Sequence, residues 1–163
     1  MSKKIKVKKG QILQRTGDLN TNVYVVESGL LRSYTVCDKF KEHIFAFAPE
    51  NNIIADVCLP MNPCQLMIDA LEDSIVQVHS KDSEITIGDK NMFRKRMEVM
   101  QARIISLISS PAVERYERFI SIYPNITQRV PQHMIASYLG ITPEALSKAK
   151  GDRLKRSKLP EKP

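Results

Sequence analysis

Near residue 89 the spacing of apolar residues changes, and that change restricts the folds open to the chain more than any other feature. From Lys4 to about Ser80 the apolar residues come in short runs: Ile5-Lys6-Val7, Val23 to Val26, Leu30 to Val36, His43 to Phe47, Gln65 to Leu71 and Ile75 to His79. Runs of this length, rich in Val, Ile, Tyr and Phe, predict β-strands. The punctuation between them is Lys9-Gly10, Thr16-Gly17-Asp18, Glu27-Ser28-Gly29, Ala48-Pro49-Glu50 and Met61-Asn62-Pro63. Glycine supplies positive φ, proline presets φ, and Asn or Asp side chains bond back to the backbone, so these are tight turns. Short strands at such intervals predict an antiparallel sandwich or barrel.

After Gly88 the residues Phe93, Met97, Met100, Ile104 and Leu107 recur every three or four positions, the a/d pattern of a helical seam. The seam covers about two heptads, so two readings stay open: pairing with the same helix of a second copy, or packing against the chain's own sheet. Ser110-Pro111 predicts a new helix, with Ser110 as N-cap and proline in the first turn. Val113, Tyr116, Ile120 and Tyr123 then share one face until Pro124 ends it.

The stretch from Gln132 to Lys150 has the spacing of a helix-turn-helix. Two short helices crossing steeply need a small residue where they approach, Ala136, and a residue able to turn left-handed four positions later, Gly140. Ile135, Leu139, Ile141, Leu146 and Ala149 supply apolar sites for mutual burial. Thr142-Pro143-Glu144 starts the second helix: Thr142 caps it, Pro143 lacks only an amide hydrogen that would go unused, and Glu144 suits the positive end of the dipole. An ordinary helical hairpin would explain any one of these residues; together they point to a helix presented to the major groove of duplex DNA.

Charge agrees with that reading. Residues 1 to 89 carry 10 Lys and Arg against 12 Asp and Glu, whereas residues 90 to 163 carry 15 against 6, so the total of +7 lies wholly in the second part. A basic part meets a polyanion through phosphate neutralisation. No apolar run approaches the ~20 residues that cross a bilayer, and Met1-Ser2-Lys3-Lys4 precedes no apolar signal core, so a cytoplasmic protein without membrane contact is expected. Three cysteines, Cys37, Cys58 and Cys64, fit no disulfide framework and no common zinc spacing.

The expected architecture is therefore α+β: an N-terminal antiparallel sandwich or barrel, a long helix suited to dimerisation, and a C-terminal helix-turn-helix bundle. Lys9 to Leu13, Thr16-Gly17-Asp18, Tyr24 to Arg32 and the block from Gln128 through Glu144 resemble the cyclic-AMP receptor and fumarate-nitrate regulator (Crp/Fnr) superfamily over nearly the whole chain. The resemblance implies residues 1–88 as a cyclic-nucleotide-binding-like effector domain folded as an antiparallel β-roll of the double-stranded β-helix or jelly-roll kind, 89–110 as the dimerisation helix, and 111–163 as the DNA-binding domain with a basic tail. It also implies a homodimer on a near-palindromic operator. The family's wing hairpin is expected to be missing, because the 23 residues after Gly140 lack alternating apolar positions.

The residues expected at DNA are Gln132, Thr142, Glu144, Ala145, Ser147, Lys148 and Arg153. Glu144 can accept from a cytosine amino group, Lys148 can donate to guanine or phosphate, and Ala145 can touch a thymine methyl. Glu144 as a mere helix-start residue and Lys148 as a mere phosphate contact are the plainer readings. Lys150, Arg153, Lys155, Arg156 and Lys158 are expected along the backbone. Members that bind cyclic nucleotides pair a phosphate with an arginine, and here no Lys or Arg occurs from Asn51 to Ser80. No cofactor is expected, and cyclic AMP is not expected to bind, because a buried phosphate would lack its partner.

Asp56 is the one effector-site candidate, against the plainer reading of a surface carboxylate. Cys58 and Cys64 read either as a redox pair or as two small buried residues. An unknown small-molecule effector and RNA polymerase remain open as partners. No enzyme is expected, since His43, His79 and His133 are isolated and a metal-dependent barrel clusters its ligands. The competing non-enzymatic reading is a β-roll that binds a small ligand or a protein, with helices that only dimerise.

Overall fold

The computed structural model describes residues 3–81 and 90–156. The chain divides into two compact units, residues 1–91 and 92–163. Eight strands form the first: β1 (Lys3–Val7), β2 (Ile12–Gln14), β3 (Asn22–Ser28), β4 (Leu31–Val36), β5 (Glu42–Ala48), β6 (Ile53–Ile54), β7 (Met67–Ala70) and β8 (Ser74–Ser80). They make two antiparallel four-stranded sheets ordered β1-β8-β3-β6 and β2-β7-β4-β5. This is a jelly roll, one form of the antiparallel sandwich or barrel that the turn-punctuated pattern predicts. β2 and β6 were not foreseen; at three and two residues they are too short to show an alternation.

Val7, Tyr24, Val26, Leu31, Ile54, Ile68 and Val76 form the core of the roll, and Val26, Leu31, Ile68 and Val76 are fully buried. Gly29 turns β3 into β4 at φ 90°, and a Cβ there would lie 2.2 Å from Ser74 Oγ, so no larger residue fits. Across the second sheet Arg32 is buried and faces Asp69 on β7, with Nε 2.8 Å from Oδ1 and Nη2 3.0 Å from Oδ2. Its guanidinium also binds the Glu42 carboxylate at the start of β5 and lies 4.1 Å from the centroid of the Tyr34 ring. Burial works against the charge on Arg32, but these carboxylate bonds outweigh it and hold the group protonated.

The helices are α1 (Lys90–Ser109), all but its first two residues in the second unit, and, within that unit, α2 (Ala112–Ile122), a 3₁₀ turn (Ile126–Gln128), α3 (Gln132–Leu139) and α4 (Pro143–Arg156). Ser110 is not the cap of α2. Its amide still bonds back to Ser106 O, and the first turn of α2 closes from Arg115 N to Pro111 O at 3.1 Å, which makes Pro111 the N-cap. The buried face of α2 is Val113, Tyr116 and Phe119, with Ile120 only half-buried. Phe119, Tyr123 and Tyr138 stack as a three-ring cluster with centroids 5.3 to 5.9 Å apart. Among the described residues no helix is long and apolar enough to cross a membrane.

Removing one partner of a buried charge pair leaves the other desolvated and uncompensated. Asp69→Ala is expected to lower the unfolding free energy of the roll by about 3 kcal/mol, with Glu42 limiting the loss. Urea denaturation of the variant and the parent chain measures it.

Candidate nucleic-acid interface

α3 ends where the sequence places its turn. Gly140 adopts φ 65° and ψ 35°, and its amide and that of Ile141 bond back to Ser137 O and Ala136 O. This left-handed C-cap reverses the chain. A Cβ on Gly140 would stand 3.3 Å from Leu107 Cδ2. Two arginines take up carbonyls left over at the end of α3: Arg115 Nη1 binds Leu139 O at 3.1 Å and Arg103 Nη2 binds Tyr138 O at 3.2 Å. Arg103 also lies 4.0 Å from the centroid of the Tyr138 ring. Neither arginine belongs to the set read from the sequence, since side chains distant in the chain give no local signal.

Ile135, Ala136, Leu139, Leu146 and Ala149 are buried between the helices. Ile141 is only half-buried, because it sits in the turn rather than on a helix face. Thr142 caps α4, its Oγ1 accepting from Ala145 N at 3.2 Å. Glu144 is exposed, and its carboxyl is held below the usual range by its own backbone N–H and by the Thr142 hydroxyl. Glu144 stands in the first turn of α4, where a carboxylate suits the positive end of the helix dipole.

Glu144, Ser147 and Lys148 are exposed, and Ala145 is half-exposed beside them. At about 100° per residue, Glu144, Lys148 and Lys155 fall along one face of α4 and Ser147 at its margin. Arg153 lies about half a turn from Glu144. It lines a groove with Tyr116, Glu117, Ile120 and Thr127 on the α2 side. Gln132, the first residue of α3, is exposed and its Oε1 accepts from Lys150 Nζ. The structure therefore brings Glu144, Ser147 and Lys148 together, ties Gln132 to Lys150, and sets Arg153 apart.

Along α1, Met97 is 52% exposed, Met100 38% and Ile104 54%, while Leu107 is half-buried. The side chain of Phe93 lies outside the described residues. Within its own unit, the seam is mostly uncovered.

In the first unit Asp56 is 5% exposed, which corrects the surface-carboxylate reading. Oδ1 accepts from Cys58 N, and Oδ2 from Gln65 N and Leu66 N, each at 2.8 Å. Burial opposes the Asp56 charge, but these three amides outweigh it and hold the carboxyl below its usual range. A cation does reach this segment, from the residue just after the Asn51 to Ser80 stretch that lacks Lys and Arg: Lys81 Nζ lies 2.7 Å from Cys58 O. Cys64 is buried and Cys58 half-buried, and neither is in a disulfide. Burial pushes the Cys64 thiol up.

No family model matches the chain. The fumarate and nitrate reduction regulatory protein of Salmonella typhimurium is 25% identical over a 173-residue alignment that covers 93% of this chain and 68% of that protein. The protein of the same name from Escherichia coli K12 matches equally. FixK2 from Bradyrhizobium japonicum superposes with a TM-score of 0.73 at 19% identity, over 96% of this chain and 86% of that one. The chain is thus similar in sequence to the Fnr regulators and has the fold of the Crp/Fnr structures. TTHA1359, a Crp/Fnr-family regulator from Thermus thermophilus, has the same fold, with a TM-score of 0.72 at 13% identity over 94% and 87% of the two chains.

Two variants probe this geometry. A non-glycine residue in the left-handed region costs about 1–2 kcal/mol, so Gly140→Ala is expected to destabilise the helical unit by that amount in thermal unfolding. Asp56→Asn is expected to cost about 1–3 kcal/mol at neutral pH, because the amide oxygen accepts fewer of the three N–H bonds. Because the Asp56 carboxyl is depressed in the fold, its contribution is present above the usual carboxylate range and fades as pH falls through the folded-state value. The difference between the parent chain and Asp56→Asn should therefore shrink on acidification, measured as Tm against pH.

Proposed function

We propose that this chain is a DNA-binding transcription regulator that grips a near-palindromic duplex site as a homodimer, with α4 in the major groove. Similarity to the Fnr regulators supports the regulatory role. One structural observation carries the rest: a capped helix, fixed against α3 by the Gly140 turn, shows Glu144, Ser147 and Lys148 to solvent in the basic part of the chain. First-turn residues of the second helix are those that meet base edges in this motif.

In this reading Lys148 donates to a guanine edge, Glu144 accepts from a cytosine amino group, and Ala145 meets a thymine methyl. Thr142 and Ser147 contact phosphate or base from either end of that face. Gln132 and Lys150 serve as a phosphate clamp at the start of α3. Arg153, turned toward α2, follows the backbone rather than reading a base. Met97, Met100 and Ile104 give the dimer seam its apolar contacts, supported by their exposure in the chain by itself. Residues 1–88 act as the effector unit, 89–110 as the dimer helix and 111–163 as the reading unit. Asp56 serves the effector unit by ordering the Cys58–Leu66 segment rather than by touching a ligand. RNA polymerase and a small-molecule effector are the further partners this role calls for.

Selection of duplexes from a random pool is expected to recover a two-fold symmetric motif. On that duplex Lys148→Ala and Glu144→Ala should each lose about 1–3 kcal/mol of binding, and much less on random DNA, measured by fluorescence anisotropy at fixed salt. Equal losses on both duplexes would reduce the two side chains to backbone contacts. No binding to any duplex at low salt would instead favour a roll that binds a ligand or protein without DNA.

A further inference from the structure

Lys81 directly follows β8 and is 8% exposed. Burying an ammonium is unfavourable unless polar groups surround it. Its nitrogen lies 2.7 Å from the carbonyl oxygen and 3.0 Å from the Sγ of one residue, Cys58, and among the described residues no carboxylate forms an ion pair with it. The register explains the approach. Asn22 pairs with Ser80, so Thr21 and Lys81 stand just past the end of the β3–β8 ladder, and Thr21 Oγ1 is 3.8 Å from the same sulfur. The Cys58 amide in turn donates to Asp56 Oδ1 at 2.8 Å, which fixes the backbone that carries the thiol. A thiol and an amine thus meet, with Cys58 half-buried between two exposed neighbours, Val57 and Leu59.

Reacting atoms held about 3–3.5 Å apart in a fixed geometry react as though highly concentrated. The Lys81 nitrogen and the Cys58 sulfur meet that condition. We propose that Cys58 and Lys81 form an oxidation-dependent modification site, in which a hydroperoxide converts the thiol to a sulfenic acid and the lysine amine captures it as a sulfenamide. In the first step the thiol sulfur takes the terminal hydroperoxide oxygen: an S–O bond forms, the O–O bond breaks, and the remainder leaves as an alcohol, or as water when the oxidant is hydrogen peroxide. Sulfur is oxidised by two electrons and the peroxide reduced by two. In the second step the Lys81 ammonium releases a proton, its nitrogen attacks sulfur, the S–N bond forms as the S–O bond breaks, and the sulfenic oxygen departs as water. The product ties the Cys58 loop to the end of β8, and thiols reverse it.

The chain carries its own controls. Cys37 is exposed and Cys64 is 2% exposed, its sulfur 2.9 Å from Arg15 O. Cross-linking of Cys58 to Lys81 does not depend on DNA binding. The full-length chain is treated with hydrogen peroxide, digested, and read by mass spectrometry. The expected result is a Cys58 peptide joined to a Lys81 peptide, lighter than their sum by two hydrogens, regenerated by dithiothreitol and absent when the oxidation is done in urea. Lys81→Arg keeps the positive charge but removes the nucleophilic amine. It should yield no joined peptide and instead a dimedone-trapped sulfenic acid on Cys58. A Cys58–Cys64 disulfide, a sulfenic acid on Cys58 of the parent chain with no joined peptide, or oxidation confined to Cys37 would each overturn the proposal. The measurement on the parent chain decides the matter even if the variant fails to fold.

Discussion

The left-handed reversal at Gly140 is the constraint on which the helical unit turns. It lets α3 stop and α4 start within three residues while the freed amides of Gly140 and Ile141 return to α3 carbonyls. Because the reversal is fixed by backbone hydrogen bonds, the direction of α4 does not depend on the side chains it shows to solvent. Ile135, Leu139, Leu146 and Ala149 bury the inner faces, and Thr142 caps the new helix. The outer face of α4 is thereby freed from any packing duty, which is what a surface that reads bases requires.

A second polar device holds the roll. The Arg32 fork spans β7 and the start of β5 from its seat on β4, so one guanidinium fixes the pairing of three strands. Buried Asp56 has a comparable role on a smaller scale. Three backbone amides converge on its carboxylate and order a segment, Cys58 to Leu66, that has no regular secondary structure of its own before β7. In both places a buried charge is tolerated because every strong partner is in reach. Both sites specify geometry as much as they add stability.

Much of this was legible in the residues. The antiparallel sandwich or barrel follows from turn punctuation between β-type runs, the helical unit from the change of period near residue 89, and the α3–α4 turn from Ala136, Gly140 and the Thr142-Pro143-Glu144 start. The losses have physical causes. β2 and β6 were too short to alternate, and Phe119 was missed as the centre of the α2 core because a face drawn through Val113, Tyr116 and Ile120 runs beside it. The Ser110 cap failed because that amide still belongs to the last turn of α1. Asp56 looked like a surface acid because nothing local announces three amides arriving from residues two to ten positions away.

The sequence by itself determined the helices and all but the two shortest strands, where the chain reverses, and which part carries the positive charge, because periodicity, turn chemistry and charge are properties of neighbouring residues. Tertiary structure alone decided the rest. It turned Arg153 away from the face that holds Glu144 and Lys148, brought Arg103 and Arg115 onto the end of α3, and set Lys81 against Cys58 across 23 residues of chain. Such pairings depend on how strands register and helices pack, and no local pattern encodes a distance between residues that only the folded chain makes neighbours.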